Sequence, residues 1–263
     1  MPTQATDTRW DELRNQADRA IQTEPTLAEL FRQTIVQQPD FGCALAHRIS
    51  KVLAGASERP ETLFEQFASA HRQDPSLAEQ AWRDLQAIVS RDPAFDTALE
   101  VFLFSKGFLA LQAYRVGHHL QQRGERLLAL FIQARCNERL AIDINPASRI
   151  GSGIMLDHGT GIVIGETAEV GDDVSILQGV TLGGTGKESG DRHPKVRSGV
   201  MIGAGAKILG NIEIGEGAKV GAGSVVLQPV PPHTTVVGNP ARQAGKPKHA
   251  RPALDMDQTL DEG

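Results

Sequence analysis

The sequence has few cysteines and no long hydrophobic run. Cys43 and Cys136 are too few for a disulfide framework and are typical of a reducing compartment. No apolar stretch approaches the ~20 residues that a membrane span requires. The first twenty residues are too polar for a signal peptide. We therefore expect a soluble, cytoplasmic protein with no membrane partner.

An excess of positive charge is also missing. The formal net charge is -5 and the isoelectric point is about 5.9, which gives no reason to expect a nucleic-acid partner. Gly186-Lys187 is followed by Glu188, so the sequence has no phosphate-binding P-loop there. The Gly-x-Gly segments near residues 159, 203 and 221 lack the third glycine of a dinucleotide fingerprint, and we interpret them as turns.

The dominant pattern is an aliphatic residue at every sixth position, frequently followed by glycine. Six fits neither a helical period nor strand alternation, so each hexad should be one short strand plus one turn. Three hexads would form one triangular coil of a parallel β-helix, and the repeat region predicts between four and five such coils. The phased positions are Ile144, Ile150, Leu156 and Ile162; Ile164, Val170, Ile176 and Leu182; and Ile202, Ile208, Ile214, Val220 and Val226.

Residues 1–140 are predicted to form a helical domain. Apolar residues recur there at helical spacing, and short breaks contain proline. Thr26–Glu29 and Ser76–Glu79 are candidate capping boxes, and Pro60 suits the first turn of a helix. Packing or oligomerisation and a direct share in a site are both open roles for this domain.

The hexad pattern is interrupted by a polar, glycine-rich loop, residues 183–199, which is a usual place for binding chemistry. His158, His193 and His233 fall in or beside the repeat. They are far apart in sequence and have no cysteine nearby, which argues against a metal site. The polar loop, with His193 beside Arg192, favours acid–base catalysis over a surface role for His158 and His193.

Several segments of the chain carry a recognisable pattern. They are Asp157-His158-Gly159-Thr160-Gly161, Thr181-Leu182-Gly183-Gly184-Thr185-Gly186-Lys187, Asp191-Arg192-His193-Pro194-Lys195 and Gly238-Asn239-Pro240-Ala241-Arg242. With these segments the chain resembles the serine O-acetyltransferases of the hexapeptide-repeat acyltransferase family, over about residues 80 to 250. This resemblance implies an α+β architecture: the helical domain 1–140, a left-handed parallel β-helix 141–242, and a flexible tail 243–263. It implies acetyl transfer from acetyl-CoA to the L-serine hydroxyl, giving O-acetyl-L-serine and CoA, the first step of cysteine biosynthesis from serine.

The same resemblance assigns roles to individual residues. His158 is expected to be the general base and Asp143 its partner carboxylate. Asp92, contributed by the helical domain, and Asp157 would hold the serine ammonium. Arg192 would clamp the carboxylate. His193 would contact the substrate and assist collapse of the intermediate.

Acetyl-CoA would be a co-substrate, with no permanently bound cofactor and no metal. Its amide-rich arm would contact backbone at Gly184, Ala204 and Ala222, where small residues permit close approach. Lys219 is a candidate phosphate contact, with a solvated lysine as the alternative.

The resemblance further implies a homo-oligomer, a trimer or a dimer of trimers with sites between subunits, and feedback inhibition by L-cysteine. Many relatives end in an isoleucine that docks into cysteine synthase, whereas Gly263 departs from that pattern. Two rival functions stay open: acetyl transfer to another acceptor such as homoserine, a sugar amine or a xenobiotic, and a non-catalytic scaffold.

Overall fold

A computed structural model of the chain describes residues 8–55, 60–186 and 189–259. The amino-terminal part is helical, as predicted. None of the helices among these residues is long and apolar enough to cross a membrane. The elements are α1 (Thr8–Thr23), a 3-10 turn (Pro25–Leu27), α2 (Ala28–Phe31), a π turn (Arg32–Val36), α3 (Phe41–Leu53), α4 (Pro60–Gln73), α5 (Ser76–Arg91), α6 (Ala98–Phe104), α7 (Lys106–Gln122) and α8 (Arg126–Leu140).

The two predicted capping boxes are wrong, although α4 does begin at Pro60. No side chain caps α2 or α5. Before α5, the Asp74 carboxylate accepts both the backbone N–H and the hydroxyl of Ser76, the first residue of the helix. The reciprocal box lies instead at α6, between Thr97 and Glu100.

The carboxy-terminal part is a three-sided parallel β-helix. Its first sheet has the order β1-β4-β7-β10-β13, the second β11-β8-β5-β2 and the third β15-β14-β12-β9-β6-β3. All pairs are parallel except the terminal β14–β15 hairpin. The strands are β1 (Ile142–Ile144), β2 (Arg149–Ile150), β3 (Met155–Asp157), β4 (Ile162–Ile164), β5 (Glu169–Val170), β6 (Ser175–Leu177), β7 (Thr181–Gly183), β8 (Lys195–Val196), β9 (Met201–Ile202), β10 (Lys207–Leu209), β11 (Glu213–Ile214), β12 (Lys219–Val220), β13 (Val225–Val226), β14 (Thr235–Gly238) and β15 (Ala241–Gly245).

The phased aliphatic residues fill the interior of the β-helix. All of them are buried except Ile150, which is half-buried. They stack directly, since Ile164 pairs with Leu182 and Leu182 pairs with Ile208. One coil cannot bury its own interior face, so this stacking is what stabilises the domain. The predicted order, a helical domain followed by a parallel β-helix, is confirmed.

Coil length varies, and the variation occurs at two corners. Counted between paired residues of the first sheet, a coil has 20 residues from Ile144 to Ile164, 18 from Ile164 to Leu182 and 26 from Leu182 to Ile208. The longest coil contains the predicted loop. That loop is shorter than expected, because Lys195–Val196 forms β8 and Val196 joins the interior. The two extra residues of the first coil were not predicted, and they fall between β3 and β4.

The tail differs from the flexible segment predicted for 243–263. The β15 strand runs past the predicted boundary to Gly245, and a short helix, α9 (Pro252–Asp255), packs on the third sheet. Ala253 is fully buried, and its carbonyl accepts a hydrogen bond from the Ser175 hydroxyl at 2.8 Å. Residues 260–263, including Gly263, lie outside the described residues.

Candidate active site

A cavity of about 290 Å³ lies where the helical domain meets the first coil. Asp157 and His158 enter it from the carboxyl end of β3, and Asp92 enters from the end of α5. Lys106, the first residue of α7, completes its polar lining. The cavity therefore gathers three of the residues that the sequence predicted as site residues, and one that it did not.

Asp157 is the more buried partner of the adjacent acid–histidine pair, with a side chain 16% exposed. Burial raises the pKa of its carboxyl above the ordinary range, and the negative charge of Asp92 adds to this effect while His158 opposes it. A cation placed between Asp92 and Asp157 would stabilise the ionised carboxylate of Asp157. The pair is thus suited to an ammonium group.

His158 projects from the corner between β3 and β4. Its φ of 54° lies in the left-handed region, and the side chain is 75% exposed. Its Nε2 lies 3.6 Å from Oδ1 of Asp157, beyond an ordinary hydrogen bond. The imidazole is therefore open to a substrate. We call residues 158–161 the His158 corner.

Asp92 has a structural role as well as a place in the cavity. It is the C-cap residue of α5, and its Oδ1 accepts the backbone N–H of Ala94 at 2.9 Å. This is the helix-terminus role that its position before Pro93 indicates. From the sequence, the site role rested on the family resemblance.

Asp143 does not meet His158 in the single chain. Its Oδ1 accepts a hydrogen bond from Nε2 of Gln133, on α8, at 2.6 Å. Within the described residues, no hydrogen bond joins the Asp143 and His158 side chains. Gln133 was missed by sequence reasoning, since its position in α8 carries no signal of contact with β1.

His193 lies in a second cluster, on the loop between β7 and β8. We call residues 184–194 the Arg192 loop; residues 187 and 188 are not described. The His193 ring is buried, and its Nδ1 accepts the backbone N–H of Thr167 at 3.2 Å. A backbone amide can only donate, so neutral His193 carries its proton on Nε2. Burial, assisted by the positive charge of Arg192, lowers the pKa of His193 and favours this neutral form.

Two residues under the Arg192 loop hold it in place, and sequence reasoning missed both. The Thr167 hydroxyl accepts the backbone N–H groups of Arg192 and His193 at 3.0 and 3.2 Å. A Cβ on Gly165 would overlap the His193 ring, so only glycine lets the ring lie flat on this turn. The loop residues are therefore positioned by the coil beneath them.

The Arg192 guanidinium already holds a carboxylate. Its Nη2 donates to Oε2 of Glu166 at 2.7 Å, and its Nη1 donates to the carbonyl of Gly190 at 3.0 Å. Gly184 lies beneath the Arg192 side chain, with a hypothetical Cβ 3.3 Å from Arg192 Cγ. A substrate carboxylate would exchange with Glu166 for this guanidinium.

The two clusters lie at opposite ends of the strands of the first sheet. The His158 corner precedes β4, whereas the Arg192 loop follows β7, which pairs with β4 in parallel. A three-residue strand spans ~10 Å, so the clusters do not meet within one chain. The structure brings together Asp92, Asp157 and His158, and separately Arg192 and His193.

Comparison with known proteins identifies the family of the chain. A family model described as serine acetyltransferase, N-terminal, matches residues 9–113, and one for the bacterial transferase hexapeptide (six repeats) matches residues 193–228. Serine acetyltransferase of Salmonella typhimurium is 52% identical over 98% of this chain and 94% of its own length. A crystal structure of the Vibrio cholerae serine acetyltransferase is 53% identical, with a TM-score of 0.93 over 95% of this chain and 97% of that one.

The chain belongs to the serine acetyltransferase family. It is an acyltransferase whose co-substrate is acetyl-CoA, and the family resemblance predicted from the motifs is confirmed. A relative from Brucella abortus, crystallised in complex with coenzyme A, is 46% identical with a TM-score of 0.89 over 92% of this chain and 96% of that one.

The residues predicted to contact CoA are divided between the two ends of the first sheet. Ala204 and Ala222 lie on successive corners between the third and first sheets, the same edge that carries the His158 corner. Gly184 lies on the opposite edge with Arg192.

Lys219 is not the solvated lysine of the alternative interpretation. It is buried, and its Nζ donates to the carbonyl of Thr259 at 2.6 Å. Nearby, Ala204 and Met256 pack against the same small apolar cluster on the third sheet. The docked tail therefore lies beside two residues predicted to contact CoA.

His233, the third histidine of the repeat region, lies away from both clusters. It follows Val230 on the last coil, and its backbone N–H donates to the carbonyl of Glu216 at 2.9 Å. Like His158 it has a left-handed φ, here 51°. Within the described residues, no group of three or more His, Cys, Asp and Glu side chains is arranged to hold a metal ion.

Proposed function

We propose that the chain acetylates the L-serine hydroxyl by direct transfer from acetyl-CoA, with His158 as general base. The observation that carries this proposal is the exposed imidazole of His158 in one cavity with Asp92 and Asp157. An imidazole, with an ordinary pKa near ~6.5, can accept the hydroxyl proton close to neutral pH. The serine ammonium lies between the two carboxylates.

His158 accepts a proton in the first step of the proposed reaction and returns it in the second. The serine oxygen attacks the thioester carbon while its proton passes to His158. The tetrahedral intermediate then collapses, the carbon–sulfur bond breaks, and the imidazolium protonates the departing CoA thiolate. General-base catalysis of this kind contributes ~10²- to 10⁴-fold to the rate.

Asp143 is proposed as the carboxylate that stabilises the His158 imidazolium. In the single chain its carboxylate accepts the Gln133 amide instead. The role therefore requires Asp143 to meet His158 in the assembled enzyme.

Arg192 and His193 are proposed to act from a neighbouring copy of the chain. The separation of the two clusters along the first sheet supports this, because a complete site then needs the His158 corner of one subunit and the Arg192 loop of another. Arg192 would leave Glu166 for the serine carboxylate. Neutral His193 would donate from Nε2 to the substrate. A trimer, alone or paired into a hexamer, supplies such sites by symmetry.

The CoA arm is proposed to lie along the same subunit boundary. Backbone groups at Gly184, Ala204 and Ala222 would contact its amides, and Lys219 would exchange its Thr259 carbonyl for a phosphate. L-cysteine shares the ammonium and carboxylate of serine, so it would compete for the same groups. Solved relatives include serine acetyltransferases in complex with cysteine and with serine, which supports both ligands. Docking to cysteine synthase would involve the chain end at Gly263, which is outside the described residues.

The test is serine-dependent release of CoA, followed as free thiol. His158→Ala should lower kcat at least ~100-fold, the contribution of a general base. His233→Ala is the matched control, since it removes a left-handed histidine away from both clusters, and it should keep the wild-type rate. A wild-type rate for His158→Ala would refute the mechanism. Faster thiol release with homoserine or a sugar amine than with serine would refute the substrate, and inhibition by cysteine that serine cannot relieve would refute the shared site.

A further inference from the structure

The first residue of α7 is a lysine, which is electrostatically unfavourable. Lys106 follows the N-cap Ser105, whose hydroxyl accepts the backbone N–H of Phe108 at 3.3 Å. The amino end of a helix carries a partial positive charge, so a cation there costs ~0.3–1 kcal/mol. Lys106 nevertheless lies beside the cavity that holds Asp157 and His158. A cation placed against the helix dipole beside this cavity points to a role outside the helix.

The His158 corner is stacked on a neighbouring coil on only one side. The corner belongs to the first coil, whose strands β1 and β3 are at the ends of their sheets. On its inner side, the Thr160 carbonyl accepts the backbone N–H of Gly179 from the next coil at 2.8 Å. On its outer side no earlier coil exists. There the Ala141 carbonyl, just before β1, accepts the backbone N–H of Gly161 at 2.7 Å, and α7 packs against β3.

This corner is also longer than a regular one. It contains the two extra residues of the first coil, and His158, Gly159 and Gly161 all have left-handed φ values of 54°, 74° and 76°. For His158, which has a Cβ, the left-handed conformation costs more than it does for glycine. Contacts that fix this corner therefore also fix the direction of the imidazole.

Lys106 adds a side-chain contact to this corner, at the exposed hydroxyl of Thr160. Its Nζ donates a hydrogen bond to the Thr160 hydroxyl, from the helix side and opposite the Gly179 contact. Gly107 brings α7 close enough, because a Cβ there would overlap the Leu156 carbonyl oxygen. Lys106 and Gly179 thus hold Thr160 from both sides.

We propose that Lys106 is a positioning residue for His158, acting through the Thr160 hydroxyl. This inference rests on the proposed function, in which His158 is the general base. The bond fixes the corner so that the imidazole meets the serine hydroxyl at the correct distance and angle. Lys106 itself touches neither reacting atom.

The test is a double-mutant cycle with Lys106→Met and Thr160→Val. Each single variant should lower kcat about 10- to 100-fold, the effect of misplacing a catalytic group by about 1 Å, while KM for serine and for acetyl-CoA stays within about twofold. The double variant should be no slower than the slower single one, because both changes remove the same bond. Thr160→Ser keeps the hydroxyl and should restore most of kcat.

Three controls make the outcome decisive. Lys51→Met removes an exposed lysine from α3 and should leave kcat unchanged. Thermal melting and CoA titration of each variant give its folded, binding-competent fraction, to which kcat is referred. Wild-type kcat in either single variant, losses that multiply in the double variant, or no rescue by Thr160→Ser would each overturn the proposal. His158→Ala separates the two inferences: if it is inactive while Lys106→Met is fully active, the positioning role fails and the proposed function stands.

Discussion

Two inactive variants should restore activity when their subunits are mixed. His158→Ala removes the general base from one cluster, and Arg192→Ala removes the carboxylate clamp from the other. Because these clusters lie at opposite ends of the first sheet, each proposed site takes one cluster from each of two subunits. A mixed oligomer therefore contains some sites in which both clusters are intact.

The expected recovery follows from counting subunits. In a random one-to-one mixture, half of the subunits carry an intact His158 corner and the other half an intact Arg192 loop. A given site between two subunits is complete in about one quarter of cases, so about a quarter of the wild-type kcat should return. If each site lay within one chain, every site would carry a defect and no activity would return.

The assay is serine-dependent thiol release by co-expressed, differently tagged subunits purified through both tags in sequence. Purification through two tags removes pure oligomers and shifts the expected fraction, so the ratio of tags is measured by mass spectrometry. The matched control mixes wild-type subunits with subunits that carry both substitutions. In a random mixture before this purification, sites between subunits retain about one quarter of the activity, whereas sites within a chain retain about one half. In trimers that contain both kinds of subunit, the value for sites between subunits falls to about one sixth, and the value for sites within a chain stays at about one half. Absence of recovery in the first mixture, or one half in the control, would refute the arrangement.

Three further predictions concern charge, burial and packing. Asp92→Asn should lower the pKa of the Asp157 carboxyl, because burial and the Asp92 charge together raise it. An NMR titration in which the Asp157 carboxyl signal keeps its wild-type midpoint would contradict this. Burial lowers the pKa of His71 to about 4. On acidification the unfolded chain therefore binds a proton at His71 before the folded chain does. The free energy of unfolding should fall by about 2 kcal/mol between pH 7 and pH 5 for this reason. In His71→Leu, the free energy of unfolding measured with urea should fall by about 2 kcal/mol less than in the wild type over the same pH range. An equal fall in both proteins would exclude His71 as the source. Gly107→Ala should lower the free energy of unfolding in urea by about 1–3 kcal/mol, because the added Cβ would overlap a backbone carbonyl of β3. The control Gly117→Ala should leave it unchanged, since the nearest atom to its added Cβ is 3.8 Å away. Equal losses in the two variants would refute the packing argument.

The architecture could be predicted because the residues that fill the interior of a β-helix recur at a fixed spacing in the sequence. Each coil contributes aliphatic residues at fixed spacing, and pairing of neighbouring coils keeps them in phase, as at Ile202 and Val220. The helical domain was less specific. At Ser76, the Asp74 carboxylate accepts the backbone N–H that Glu79 would have accepted in the predicted box. Thr26 lies inside a 3-10 turn and does not precede a helix as a cap. A box pattern alone reveals neither arrangement.

The site was only partly predictable. Motif resemblance pointed to His158 and Arg192, whereas Lys106 and Thr167 act through contacts between elements distant in sequence. Their residue types are ordinary on a surface, and only the folded arrangement places them against the catalytic candidates. Nor could the sequence show that the two clusters lie apart, since that depends on which corners of the prism they occupy.

The interrupted period also shows why the extra length of one of the two corners was not predicted. The Arg192 loop adds eight residues to a coil and is obvious, but the His158 corner adds only two. Ile162 and Ile164 are both aliphatic, so a six-residue count from Leu156 meets an aliphatic residue at Ile162 and hides the insertion. In the structure Ile144 pairs with Ile164 and Ile142 with Ile162, which shows that the coil is two residues longer than 18. A regular corner is short and is stacked on both sides, which leaves little freedom to aim a side chain outward. The two places where the coil lengthens are the two that present candidate catalytic and binding groups. Departures from the period, including those as small as two residues, are therefore the sequence signal by which such sites can be sought in other hexad proteins.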